Sequence, residues 1–145
     1  MDEKEELYNL LKEFFLLLDI GDRQLFGCYD LTVPRYYTLY HLFETPGLSL
    51  SQLSEKLFCD KSNITRILRG LEEKELVSRH NHESDGRIVR CFITDKGTAV
   101  FHKVTNAHKN LNQSRFNHFD NHLQIQLQQV LFQLRQNLSV TDTIN

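Results

Sequence analysis

Hydrophobic and polar positions along the chain change period several times, and each change marks an element. From Glu3 to Leu18, the residues Leu7, Leu10, Leu11, Phe14, Phe15, Leu17 and Leu18 recur at helical spacing but cover more than one stripe. A helix on a single domain needs only one apolar face, so the second face predicts packing against another subunit. Gly21 and Gly27 leave the continuation of this helix open. Thr32 as N-cap with Pro34 in the first turn predicts a helix from about Val33 to Glu44, stopped by Thr45-Pro46-Gly47. Residues 49–57 form the next short helix: Ser49 and Gln52 have capping-box spacing, and Leu50, Leu53 and Leu57 line one face. After Phe58-Cys59, Asp60 caps a helix from Lys61 to about Lys74.

The period then shortens. Leu76 to His82 and Ile88 to Thr94 are β-prone runs, separated by the turn sequence Glu83-Ser84-Asp85-Gly86-Arg87, with Gly86 expected at positive φ. Thr94 caps a polar helix running to about Phe116. A last helix starts near Asp120, with Leu123, Leu127, Val130, Leu131, Leu134 and Leu138 at helical spacing. The tail from Ser139 is expected to fray. The fold class is therefore mainly α with a small β-hairpin.

Composition changes this picture little. With 145 residues, 40% hydrophobic and 25% charged, the chain can bury a core and is not disordered by composition. No apolar run is long enough to span a bilayer, and the acidic start Met1-Asp2-Glu3 has the wrong charge for a secretory signal; a cytoplasmic protein with no membrane partner is expected. Cys28, Cys59 and Cys91 are odd in number and lack short spacing, which argues against a disulfide framework or a Cys-rich zinc site. The net charge of −2 argues for no nucleic-acid partner by itself. The distribution does: residues 1–30 are acidic, and most arginines fall between Lys56 and Lys103, which allows a local basic face.

Two short helices joined by a few residues, with a hairpin directly after the second, have the sequence shape of a winged helix-turn-helix. The second of these helices can be projected at about 100° per residue. Ile64, Ile67, Leu68 and Leu71 then share one face, Ser62, Arg66 and Arg69 lie nearly opposite, and Asn63 and Thr65 flank them. Arg can bind guanine in a bidentate way, Asn can pair with adenine, and Ser or Thr can contact bases or phosphates. The positive helix N-terminus at Lys61-Ser62 favours a phosphate. On the hairpin, Arg87 projects where a narrow, electronegative minor groove could receive it. Asp85 could brace Arg87 or Arg90; alternatively the tip is an ordinary surface turn with a weak exposed ion pair.

Leu31-Thr32-Val33-Pro34-Arg35-Tyr36-Tyr37 through Leu48-Ser49-Leu50-Ser51-Gln52-Leu53, then Lys61-Ser62-Asn63-Ile64-Thr65-Arg66, Leu71-Glu72-Glu73-Lys74-Glu75-Leu76-Val77-Ser78-Arg79, Asp85-Gly86-Arg87 and Ile93-Thr94-Asp95-Lys96-Gly97, together resemble the MarR family over about residues 30–100. The resemblance implies a winged helix-turn-helix DNA-binding domain at 31–99. It also implies a helical dimerisation region made of 1–30 and 100–145, interlocking two copies of the chain. Each recognition helix would enter a major groove, and each Arg87 a minor groove, of a pseudo-palindromic operator. The DNA-binding set would be Lys61, Ser62, Asn63, Thr65, Arg66, Arg69, Arg87 and Arg90, and the function that of a transcriptional repressor responsive to an effector or an oxidant. The chain departs from the family at two points, holding Phe58 and Glu75 where glycine is usual. A non-glycine residue at a left-handed C-cap costs roughly 1 kcal/mol.

Family members often bind small aromatic effectors near the second helix, where Tyr36, Tyr37, Tyr40 and His41 cluster here. Such a stripe is core in one reading and effector pocket in the other. Among the cysteines, Cys28 is the redox candidate, nearest the expected junction of the two regions; Cys59 and Cys91 read as packing. His118 with His122, and His80 with His82, bring no evident third ligand, so neither a metal nor a cofactor is expected. The rival reading is a winged-helix interaction module that has lost DNA binding. An enzyme is not expected: there is no Ser/His/Asp spacing, phosphate loop or convincing acid pair.

Overall fold

The computed structural model describes residues 2–82 and 85–138. The chain divides into two compact units at His108/Lys109. The first contains α1 (Glu3–Gly27), α2 (Val33–Glu44), β1 (Leu48–Ser49), α3 (Leu50–Leu57), α4 (Lys61–Glu73), β2 (Val77–His82), β3 (Asp85–Ile93) and most of α5 (Asp95–Phe116). The second contains the end of α5 and α6 (Asn121–Asn137).

The first helix is longer than the glycines suggested. It runs unbroken through Gly21 to Gly27. Tertiary contacts explain why: Asp22 Oδ1 lies 3.0 Å from His108 Nε2 of α5, with both side chains 14% exposed. The buried Phe26 stacks on Tyr36 of α2 at 4.3 Å between ring centroids. Such packing outweighs the helix penalty of glycine, about 1 kcal/mol. Leu7, Leu10, Phe14 and Leu17 on the same helix remain exposed. Asp30, in the corner between α1 and α2, is left-handed at φ 58°.

The caps read from the sequence are present. Thr32 accepts the Arg35 N–H at 3.3 Å. Ser49 and Gln52 form a reciprocal capping box, at 3.2 Å and 2.9 Å. Thr94 Oγ1 accepts the Gly97 N–H at 3.0 Å. The core of this unit gathers around Leu39 and Leu42 of α2, Leu53 of α3, Ile64, Leu68 and Leu71 of α4, and Val104 of α5, all fully buried.

The sheet has three antiparallel strands in the order β1-β3-β2. The pair β1 was not legible in the sequence; Leu48 and Ser49 pair with Cys91 and Arg90. The second strand of the hairpin starts earlier than its β-prone run, at Asp85, which pairs with His82. Gly86 therefore lies within a strand, and its φ is outside the left-handed region, contrary to expectation. The glycine that needs positive φ is Gly47 (φ 85°), just before β1. A Cβ there would touch the Phe92 ring at 3.4 Å.

In the second unit, Asp120 caps α6 by accepting the Leu123 N–H at 2.7 Å. Leu123, Leu127, Val130 and Leu131 are exposed along it. The tail from Ser139 lies outside the described residues.

Candidate nucleic-acid interface

The site begins with how α4 starts. Asp60 Oδ1 accepts the Asn63 N–H and the Ser62 hydroxyl, each at 2.8 Å. These bonds, with a smaller contribution from the Arg66 charge, hold its carboxyl below the ordinary carboxylate range. The capped helix then buries Ile64, Ile67, Leu68 and Leu71 as projected, and leaves Lys61, Ser62, Arg66 and Arg69 exposed. Asn63 and Thr65 are half-buried on the flanks. The Thr65 hydroxyl donates to the Lys61 carbonyl at 2.9 Å and keeps its lone pairs for another donor. The predicted polar face thus stands clear of the core.

The turn before α4 and the end of α4 keep left-handed residues without glycine. Phe58 has φ 53° and ψ 43°, and Glu75 has φ 62°. Phe58 is also 80% exposed, so packing of its ring does not offset the strain. The hydroxyl of Ser54 closes this turn by donating to the Cys59 carbonyl.

The wing is tied to the helices by its own cations. Arg79 of β2 pairs with Glu72 at the end of α4. Arg90 of β3 donates to the Gly47 carbonyl at 3.2 Å, so part of its donor set is engaged within the fold. Arg87 is exposed. The side chain of Asp85, for which a bracing role is expected, lies outside the described residues.

A cleft of about 390 Å³ joins these parts, lined among others by Ser49, Ser51 and Gln52 of the α3 start, Lys61 of the α4 start, and Arg87 and Arg90 of the wing. Two helix N-termini, hydroxyls and cations converge there, the combination that suits an anion. The sequence reading missed Ser51 and Gln52 as site residues. In the sequence Ser49 and Gln52 are legible only as caps, and the pairing of β1 with β3, which brings α3 to the wing, carries no sequence signal.

The aromatic set divides. Tyr36 is buried, its hydroxyl 2.9 Å from Thr105 Oγ1 and its phenol pushed up by burial. Tyr37 lines a cavity of about 260 Å³ with Val33, Pro34, Leu57, Cys59, Asn63 and Ile67. Tyr40 is exposed beside His41, whose imidazole is lowered by burial and then by Lys56. Cys28 is exposed and its thiol donates to the Gln24 carbonyl at 3.3 Å. Cys59 is half-buried, and burial pushes its thiol up. Cys91 is buried and pushed up to about 11. Among the described residues no group of His, Cys, Asp and Glu could hold a metal ion, and no helix is long and apolar enough to cross a membrane.

A helix pair whose second member presents a polar face, followed by a hairpin, defines a winged helix-turn-helix protein. The MarR family model matches residues 31–89. The HTH-type transcriptional regulator TtmR of Methylorubrum extorquens is 37% identical over 82 residues, which are 57% of this chain and 42% of TtmR. The chain thus spans less than half the length of that relative. The transcriptional regulator BldR of Sulfolobus solfataricus superposes with a TM-score of 0.77 at 27% identity, over 91% of this chain and 96% of BldR. Streptococcus pneumoniae FabT, solved in complex with DNA, superposes with a TM-score of 0.75 at 23% identity, over 93% and 96% of the two chains. Over residues 31–89 the chain is thus similar to the MarR family.

Proposed function

We propose that this chain is a sequence-specific, double-stranded DNA-binding transcriptional regulator, acting as a homodimer in the cytoplasm. One observation carries the proposal: the polar face of α4 is exposed beside a cation-lined cleft that α3, α4 and the wing build together. Ser62, Asn63, Thr65, Arg66 and Arg69 read base edges in a major groove. Lys61 and Arg90, at the cleft, hold backbone phosphate. Arg87 reaches the adjacent minor groove. Residues 31–99 form the DNA-reading domain. The exposed apolar faces of α1 and α6, in 1–30 and 100–145, are covered by the second copy. TtmR's name and the DNA in the FabT structure support this direction.

Selection of bound sites from a random duplex pool tests the proposal. A pseudo-palindrome with half-sites about one helical turn apart is expected. Recovery of no common site would favour an interaction module instead.

A further inference from the structure

Arg35 belongs to the first turn of α2, yet its guanidinium lies on α4. A Cβ on Gly70 would fall 2.1 Å from Arg35 Nη2 and 2.6 Å from Arg35 Cζ. Gly70 is buried within α4, one residue beyond the exposed Arg69. A glycine in a helix interior costs about 1 kcal/mol relative to alanine, and the absent Cβ is what lets a planar guanidinium lie against the helix backbone. A second tie runs alongside. Lys74 Nζ, just past the end of α4, is 2.5 Å from Asp30 Oδ2 and also donates to the Asp30 carbonyl. Asp30 is the left-handed residue of the corner that follows α1. Lys74 first, and Arg35 after it, lower the Asp30 carboxyl from its ordinary value, so both cations face the same corner.

We propose that Arg35 is a positioning residue: seated on Gly70 and next to the Asp30–Lys74 pair, it fixes the angle between α1 and the recognition helix α4. The inference rests on the DNA-binding reading for its purpose. A helix that must meet a groove in one register gains from two ties, one to α2 and one to the corner that joins α2 to the helix carrying the apolar dimer face. With both ties in place, the separation of two recognition helices follows from how two α1 helices pack. The obstacle at position 70 is the end of a flexible side chain, so Gly70→Ala evicts the guanidinium without moving backbone.

The test uses Gly70→Ala, Arg35→Ala and Arg35→Lys in the full chain. The probe is the duplex selected by the wild-type protein, and versions with one base pair added or removed between half-sites. Gly70→Ala and both Arg35 variants are expected to bind the selected duplex several-fold more weakly and to discriminate less against altered spacing. Gly70→Ala should keep or raise the melting temperature, which a merely structural role would lower. In the Arg35→Ala background, Gly70→Ala should have no further effect on affinity.

A parallel arm needs no DNA. Spin labels are placed at Glu13→Cys and Ser62→Cys, with Cys28 and Cys59 replaced by alanine and the labelled chain diluted in unlabelled chain. The α1–α4 distance distribution should broaden in Gly70→Ala. An unchanged distribution would overturn the proposal, as would unchanged spacing preference. A salt slope of binding reduced by about one in Arg35→Ala would make Arg35 a phosphate contact and also overturn it. If the wild-type protein bound no duplex while the distribution broadened, the DNA reading would fail and the strut would stand.

Discussion

Gly97 lies directly against Leu76: a Cβ at position 97 would be 2.1 Å from the Leu76 carbonyl oxygen. Leu76 joins three elements there. Its N–H donates to the Leu71 carbonyl and its own carbonyl accepts the Thr94 N–H, both at 3.0 Å. The obstacle is backbone held by two hydrogen bonds, so it cannot step aside. Gly97→Ala is expected to destabilise the protein by about 1–3 kcal/mol, through separation of α5 from the end of α4. Urea denaturation checks this, with a lower midpoint and an unchanged m-value. A midpoint equal to that of the wild type would contradict the contact.

Phe58 has the opposite expectation. It is left-handed at φ 53° and 80% exposed, so the residue carries strain and little packing. Phe58→Gly is expected to raise stability by up to about 1 kcal/mol, measured by thermal or urea unfolding. A loss of stability would mean that the ring has a stabilising contact.

How far the sequence could be read follows from these residues. The apolar stripe Ile64, Ile67, Leu68, Leu71 and the caps at Thr32, Ser49, Asp60 and Thr94 were legible because they depend on local spacing and local hydrogen bonds. What depends on a distant partner was not. Helix α1 passes Gly21 because Asp22 and Phe26 pack on α5 and α2. The two-residue strand β1 exists only through its pairing with β3. Gly86 looked like a turn glycine, but the pairing of Asp85 with His82 places it in a strand. The cleft could be half read: its cations were named, while the α3 residues lining it were recognised only as caps. Arg35 was missed as anything but part of a family motif, although a mid-helix glycine at position 70 was a visible signal of close approach.

The Asp60 cap makes stability depend on pH in a defined direction. Its folded pKa is below the ordinary value of 3.8. Its ionised form therefore stabilises α4 fully above the unfolded pKa, and that contribution is lost as pH falls through the depressed folded value. Asp60→Ala should be less stable than the wild type at neutral pH, and the gap should close in strong acid. Urea titrations at a series of pH values check this; a gap independent of pH would contradict an ionic cap.

The three thiols should separate by depth. Cys28 is exposed, Cys59 half-buried, and Cys91 buried with its thiol pushed up to about 11. A thiol reagent at pH 8 is expected to modify Cys28 first, Cys59 more slowly, and Cys91 only on unfolding. Mass spectrometry of the modified peptides gives the order. Early modification of Cys91 would contradict the buried sheet centre, and slow modification of Cys28 would remove it as an oxidant-sensing candidate.

In the proposed function, the exposed side of α4 and the Arg87 wing grip one duplex together. The most direct measurement is fluorescence anisotropy of the selected duplex over a range of salt, with the wild type, Arg66→Ala and Arg87→Ala. Affinity of the wild type should fall steeply and linearly on logarithmic axes as salt rises. Each variant is expected to bind about tenfold or more weakly while keeping its melting temperature. Salt-independent binding by the wild type, or unchanged affinity in both variants, would contradict the account.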